Sequence, residues 1–211
     1  MSNNKILVAT QNPHKIQKIS AMFSDCDATI ETPDKLPLNI EIDENGNSFE
    51  ENAVIKAVEY AKHYDGLVVA TDGGMIIPGL EDWDPLHTRR FAGPDATDKD
   101  RISELLRRMK GKTGDERQMK WCEAIAIAKA GKKLFSIQAP GAEGVMSDIF
   151  DEKNYRAGIW VCSIWEFPQF DNKNFFELSD KEVEAAEVSW SRLGNALRAY
   201  LKDNAYFQHI E

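Results

Sequence analysis

The sequence predicts an α/β fold, and three observations carry that prediction. Apolar segments of strand length alternate with amphipathic segments of helical period. One of the apolar segments, Leu67-Val68-Val69-Ala70, runs straight into Thr71-Asp72-Gly73-Gly74-Met75. The chain has 211 residues, 42% of them hydrophobic, which is ample material for a real core. Strands alternating with helices build a sheet flanked by helices. A strand that ends in an acid delivers that side chain to the sheet edge where ligands of open α/β sheets collect. An Asp-Gly pair is equally a common turn.

Each element follows from local pattern. Lys5 to Thr10 reads as a short buried strand, and Asn12 with Pro13 opens a helix carrying Ile16, Ile19 and Phe23 at helical spacing. Ser24 to Asn47 is polar, with a strand around Thr29. Ser48-Phe49-Glu50-Glu51 starts a second helix running to about His63, and the Leu67 strand follows. Pro78 to Pro94, rich in Gly, Pro, Asp and Trp, reads as an irregular loop over a cleft. Asp98 to Lys110 is amphipathic, with Ile102, Leu105, Leu106 and Met109 on one face. Trp121 to Ala128 and Lys133 to Gln138 read as antiparallel strands joined by a turn at Ala130-Gly131. Ile159 to Ile164 reads as another strand, and Ser179 to about Lys202 as one helix with Leu193, Leu197 and Leu201 spaced by fours. No repeat or low-complexity linker divides the chain, so residues 1–211 read as one domain.

Charge and composition narrow the function. The net charge of −9, from 35 acids against 26 bases, disfavours a nucleic-acid polymer as partner. It leaves room for a small phosphorylated ligand held by local cations and a metal. No segment approaches the roughly 18 apolar residues of a membrane span, and the N-terminus has no signal-like run. Cys26, Cys122 and Cys162 are scattered without a C-x-x-C pair, which argues against zinc and fits free thiols in a reducing cytoplasm.

Three segments could carry chemistry. Thr10-Gln11-Asn12-Pro13-His14-Lys15 is a strand-to-helix turn whose backbone N–H groups and helix dipole can receive phosphate, with Lys15 adding a full charge. The same residues suit a plain helix start, Asn12 as cap and Pro13 at the first position. Ser48 and Glu51 fit a capping box, while Asn52 and Lys56 lie one turn apart on a shared face. Such a helix start can hold a metal–phosphate group, although a helical Lys is usually solvated surface. In Thr88-Arg89-Arg90-Phe91-Ala92-Gly93, an Arg in a Gly/Pro-rich loop can fork onto phosphate or anchor the loop by a salt bridge.

Taken in order, these segments resemble the inosine triphosphate pyrophosphatase family of purine nucleoside triphosphatases. The family pattern A-T-x-N-x-x-K stands here as Ala9-Thr10-Gln11-Asn12-Pro13-His14-Lys15, and F-x-E-N-A-x-x-K-A is intact from Phe49 to Ala57. The D-D-S-G-L strand end appears as Thr71-Asp72-Gly73-Gly74-Met75, keeping the second acid and losing the first. A-R-Y-x-G resembles Arg89-Arg90-Phe91-Ala92-Gly93. The match covers roughly the first 150 residues in register. The resemblance implies hydrolysis of a nucleoside triphosphate between the α and β phosphates. It implies an elongated mixed sheet with helices forming two lobes around a nucleotide cleft, and a homodimer with a seam near Trp121 to Ala128 and the Trp83 loop. Asp72 matches the general base and metal partner, and Glu51 matches the metal-side glutamate. Thr10, Asn12, Lys15, Asn52, Lys56, Gly73 and Arg90 match substrate-side positions. Mg²⁺, which uses one or two carboxylates and leaves the rest of its octahedron to phosphate and water, is the implied cofactor.

The base-binding half departs from the family. The G-F-G-Y-D-P segment corresponds to Gly158-Ile159-Trp160-Val161-Cys162-Ser163, and the S-H-R-G signature to Val188-Ser189-Trp190-Ser191-Arg192-Leu193-Gly194. Trp160 and Trp190 are the candidate stacking faces and Arg192 the candidate replacement for the family Arg; core packing is the other reading of both tryptophans. The expectation is a Mg²⁺-dependent triphosphate pyrophosphatase with a shifted preference among modified purines. The alternatives are a catalytically weak nucleotide-binding paralogue and a Maf-like phosphatase.

Overall fold

The computed structural model of the chain describes residues 4–36 and 40–206. The strands are β1 (Lys5–Val8), β2 (Thr29–Glu31), β3 (Leu67–Ile76), β4 (Gln118–Lys129), β5 (Lys132–Met146), β6 (Trp165–Phe167) and β7 (Lys173–Asn174). The α-helices are α1 (Pro13–Ala21), α2 (Phe49–Ala61), α3 (Asp98–Arg108), α4 (Asp180–Ala186) and α5 (Val188–Asp203). The strands form one mixed seven-stranded sheet in the order β2-β1-β3-β4-β5-β6-β7. β1 is parallel to β2 and β3, while β6 is antiparallel to β5 and β7.

The chain divides into two compact units. The first holds residues 1–73, 123–139 and 189–211, and the second residues 74–122 and 140–188, so the division falls within β3, β4 and β5. In the first unit β1 sets Val8 opposite Val69 of β3, and the Ala9 N–H extends that ladder to the Val69 carbonyl at 2.8 Å. Ile6, Leu7 and Val8 are all buried, as are Leu67 to Ala70. Continuous apolar runs of this kind mark strands covered on both faces. Ile19, Leu193, Leu197 and Leu201 complete one core with Ile6, Val8 and Val69.

The second unit has its own core, built on Ile102, Leu105 and Met109 with Trp83, Trp160, Trp165 and Phe167. Arg117 is buried there and donates to the carbonyls of Met109, Met146 and Ser147 at 3.1, 2.9 and 2.6 Å. No described helix is long and apolar enough to cross a membrane. The three cysteines are free thiols.

Four sequence expectations need correction. β3 does not stop at the acid: it runs on through Asp72, Gly73 and Gly74 to Ile76, so Asp72 lies inside the strand and the Asp-Gly pair is no turn. Residues 160–164 form a 3₁₀ segment and the strand starts only at Trp165. That run is buried throughout, and an apolar run without periodicity does not distinguish the two states. The long C-terminal helix is two helices, broken at Glu187 (φ −78°, ψ 45°), whose N–H closes α4 on the Val183 carbonyl at 2.8 Å. β4 and β5 exceed their expected spans. The turn between them stands where expected, with both Ala130 (φ 49°) and Gly131 (φ 71°) left-handed as a type I′ hairpin requires.

Candidate active site

The first unit brings two groups of predicted residues into place. At the end of β1, Thr10 Oγ1 accepts from the Asn12 N–H at 3.2 Å. Asn12 caps α1: its Oδ1 accepts from the N–H groups of His14 (3.0 Å) and Lys15 (3.4 Å). The cap uses Oδ1 alone, and the Nδ2 donors lie outside it. From the first turn, Lys15 sends its Nζ to Glu123 Oε1 of β4 at 2.7 Å. The Lys15 side chain is 18% exposed and that of Glu123 1%. Trp190 of α5 stands edge-on to His14, ring centres 6.3 Å apart.

The second group joins α2 to β3. Asn52 is buried and donates from Nδ2 to Asp72 Oδ2 at 3.1 Å, while its Oδ1 accepts from the Gly46 N–H at 2.8 Å. Asp72 Oδ1 accepts from the Gly73 N–H at 2.9 Å. Lys56, one turn beyond Asn52, donates from Nζ to the Thr71 carbonyl at 3.2 Å and pairs with Glu44 Oε1 at 3.1 Å. Asn52, Asp72 and Gly73 therefore form one hydrogen-bonded cluster, and Lys56 is held on the carbonyl of the residue before Asp72. Glu51, next to Asn52 in the chain, is exposed at the start of α2, with Oε2 accepting from the Asn47 N–H at 2.7 Å. Thr71, where the family pattern has its first acid, is buried, and its Oγ1 has no hydrogen-bond partner. Alternation along β3 sends Thr71 and Asp72 to opposite faces, so the substitution removes no carboxylate from the side of Asp72.

The donor set can be tested against a divalent cation. Among the described residues no cluster of three or more His, Cys, Asp or Glu side chains could hold a metal alone. A carboxylate has about four lone-pair positions, and Asp72 spends two of them on Asn52 and Gly73. Glu51 carries its Asn47 contacts on Oε2 only. Each carboxylate keeps spare acceptor capacity, and hard oxygen donors of this kind are what Mg²⁺ takes together with phosphate and water.

The base-side expectations fare differently. Trp160 and Arg90 both lie in the second unit. Trp160 is 4% exposed, set in the core with Trp83 edge-on at 6.1 Å and Phe91 parallel at 6.4 Å. That packing places it in the second core, the other of its two sequence readings. Trp190 is likewise buried, packed in the first core. Cys162, standing where the family pattern has an Asp, is buried. Burial first, and the Glu187 charge second, push its thiol up to about 12, leaving a neutral group at neutral pH. Arg192 is exposed on α5. Arg90 is exposed and lines an open hollow of about 640 Å³ together with His87, Phe91 and Arg108.

Two acids that pair with the candidate lysines escaped the sequence reading. Glu123 had a usable signal, a lone charge inside the apolar run Trp121 to Ala128. Glu44 had none, because it stands among the acids and amides of a polar stretch.

Known proteins resemble this chain along most of its length. The family model described as Ham1 matches residues 6–199. A protein of Thermoanaerobacter pseudethanolicus named dITP/XTP pyrophosphatase is 34% identical over 129 residues, 61% of this chain. The match spans 65% of that relative's length, just under two thirds. A Bacillus cereus protein of the same name is 28% identical over 198 residues, 93% of each chain. In structure, a HAM1 protein from Coxiella burnetii superposes with a TM-score of 0.76 at 24% identity, covering 92% of this chain and 98% of that one, a likeness of fold. A nucleoside-triphosphatase / dITP/XTP pyrophosphatase from Mycobacterium abscessus gives 0.68 at 26% identity, covering 92% and 96%.

Proposed function

The chain belongs to the Ham1 family, and on that premise and the geometry of the first unit we propose that it is a nucleoside triphosphate pyrophosphatase, converting a (d)NTP to the (d)NMP and pyrophosphate. The observation that carries the reading is the Asn52–Asp72 hydrogen bond, with Lys56 held on the neighbouring Thr71 carbonyl. It joins an acid able to take a proton to a cation able to meet phosphate.

In this reading Asp72 accepts the proton of a water that attacks the α-phosphorus. The bond from that phosphorus to the bridging oxygen breaks, and pyrophosphate leaves with the electron pair. Asn52 fixes the carboxylate by donating to Oδ2, which leaves Asp72 oriented before substrate arrives. Lys15 and Lys56 meet the charge that grows on the leaving group, cations already in place being the effective kind. Asn12, Thr10 and the start of α1 receive a phosphate oxygen at a helix N-terminus. Glu51 and Asp72 would hold Mg²⁺, which when bound neutralises phosphate charge.

The names of the relatives support a deaminated purine substrate, dITP or XTP. The rewritten base half supports a shifted preference within modified purines, because specificity comes from polar groups at the base edge and Cys162 stands where the family pattern has an Asp. The same proposal includes a homodimer acting on mononucleotides in the cytoplasm, in keeping with the −9 charge and three free thiols. The test is a panel of dITP, XTP and ordinary and modified dNTPs with Mg²⁺, products identified, run beside Asp72→Asn. Pyrophosphate release that the variant loses is the expected result. Orthophosphate as product, or binding without turnover, overturns the reading.

A further inference from the structure

We infer that Glu123 is a positioning residue for Lys15: its buried carboxylate holds the Lys15 ammonium between catalytic cycles and competes for it with bound phosphate. The inference rests on the pyrophosphatase reading and deepens it.

The two lysines of the site are balanced in different ways. Lys56 pairs with Glu44, whose side chain is 38% exposed, and an exposed counter-charge is weak because water screens it. Lys15 pairs at 2.7 Å with Glu123, whose side chain is 1% exposed and lies in a strand buried from Cys122 to Ala128. A carboxylate buried this deeply is screened little by water, so it attracts the Lys15 ammonium more strongly than an exposed acid would. Glu123 therefore draws Lys15 toward β4 whenever no stronger anion is present. The ammonium has three donors and this contact uses one, so two stay available for phosphate oxygens. Substrate and product each engage a lysine whose charge is already partly answered. That lowers the affinity of the site for the pyrophosphate it must release, at the expense of some affinity for triphosphate.

The prediction concerns product affinity. Glu123→Gln keeps the size and a carbonyl acceptor but removes the opposing charge, so Lys15 attracts phosphate more strongly. Calorimetry with inorganic pyrophosphate is expected to show binding tighter by on the order of tenfold in Glu123→Gln than in the unaltered protein. KM for triphosphate falls, and kcat falls with it as release slows. A merely structural defect would lower kcat while leaving KM unchanged or raised. In a Lys15→Met background the Glu123→Gln change should leave pyrophosphate affinity where it was. Unaltered pyrophosphate affinity in a folded Glu123→Gln protein, or the same tightening without Lys15, overturns the inference. If Glu123→Gln does not fold, Glu123→Asp serves: its shorter carboxylate withdraws from Lys15, and affinity must shift in the same direction or the inference falls. The outcomes separate from those of the parent reading. Glu123-dependent pyrophosphate binding without triphosphate turnover sinks the pyrophosphatase reading alone, whereas turnover with Glu123-independent affinity sinks this inference alone.

Discussion

Asn52 and Asp72 hold each other from neighbouring elements: the amide Nδ2 of a buried helix residue donates to a strand carboxylate at 3.1 Å, while the amide oxygen is anchored by the Gly46 N–H at 2.8 Å. Both ends of Asn52 are used, so its rotamer is fixed and so is the carboxylate it serves. Asn52→Ala should lower kcat by about 10- to 100-fold, the usual effect of removing a group that orients a reacting residue. It should also cost about 1–3 kcal/mol of stability, since the Gly46 N–H loses its acceptor. Steady-state kinetics and denaturant melts measure the two effects separately. An unchanged kcat in a folded variant would remove Asp72 from the proposed chemistry or Asn52 from its support.

Gly46 is required at its position for a steric reason. A Cβ there would stand 2.7 Å from the Glu51 Cβ and 2.8 Å from Asn52 Oδ1. Gly46→Ala therefore pushes on the proposed metal-side glutamate and on the residue that fixes Asp72 in one step. Activity is expected to fall at least as far as in Asn52→Ala, with an overpacking cost of about 1–3 kcal/mol. Glutamine at position 51 in the same background should add little further loss, because the carboxylate is already displaced. Full additivity of the two changes would contradict this account.

Residues that make their bonds locally were legible in the sequence. Asn12 with Pro13 and Ser48 start helices as their chemistry predicts, because a cap is decided within three or four residues; the expected capping box is only half made, since Glu51 reaches back to the Asn47 N–H and not to that of Ser48. The hairpin at Ala130-Gly131 was legible for the same reason. What depended on a distant partner was not. The extension of β3 through Asp72 to Ile76 is fixed by its place in the sheet, not by the Asp-Gly pair, which locally suggests a turn. The Lys15–Glu123 pair spans 108 positions, and no local rule links its members. Trp160 shows the same limit: an aromatic in a motif reads alike whether it faces a ligand or a core, and only the packing of Trp83 and Phe91 decides.

Acid should loosen the second unit through Glu104. Hydrogen bonds from Arg107 and then Arg108 hold its carboxyl at about 2, below the ordinary value of 4.5. A lowered folded-state pKa contributes stability that is present above the unfolded value and is lost as pH falls toward the folded one. The contribution is therefore complete at neutral pH, declines from about pH 4.5 and is gone near pH 2. Glu104→Gln should be less stable than the unaltered protein at pH 7, with the gap closing through that window. Melting temperatures taken from pH 7 to pH 2 check this, and a gap that persists at the acid end would mean that packing, not charge, makes the contribution.

Trp160 decides between a pocket wall and a core. Its ring is 4% exposed and packs against Trp83 and Phe91, so truncation opens a cavity. Trp160→Ala should cost about 3–5 kcal/mol, an effect on the scale of a domain's whole stability, and Trp160→Phe should retain part of it. Neither change should reorder the preference among nucleotide bases, because the ring has no open face to stack on one. The ranking of dITP, XTP and ordinary dNTPs by kcat/KM, measured with Trp160→Phe below its melting temperature, is the critical comparison. If that ranking changes while the fold is intact, a face of Trp160 becomes available to the base during turnover, and base selection passes through the aromatic cluster after all.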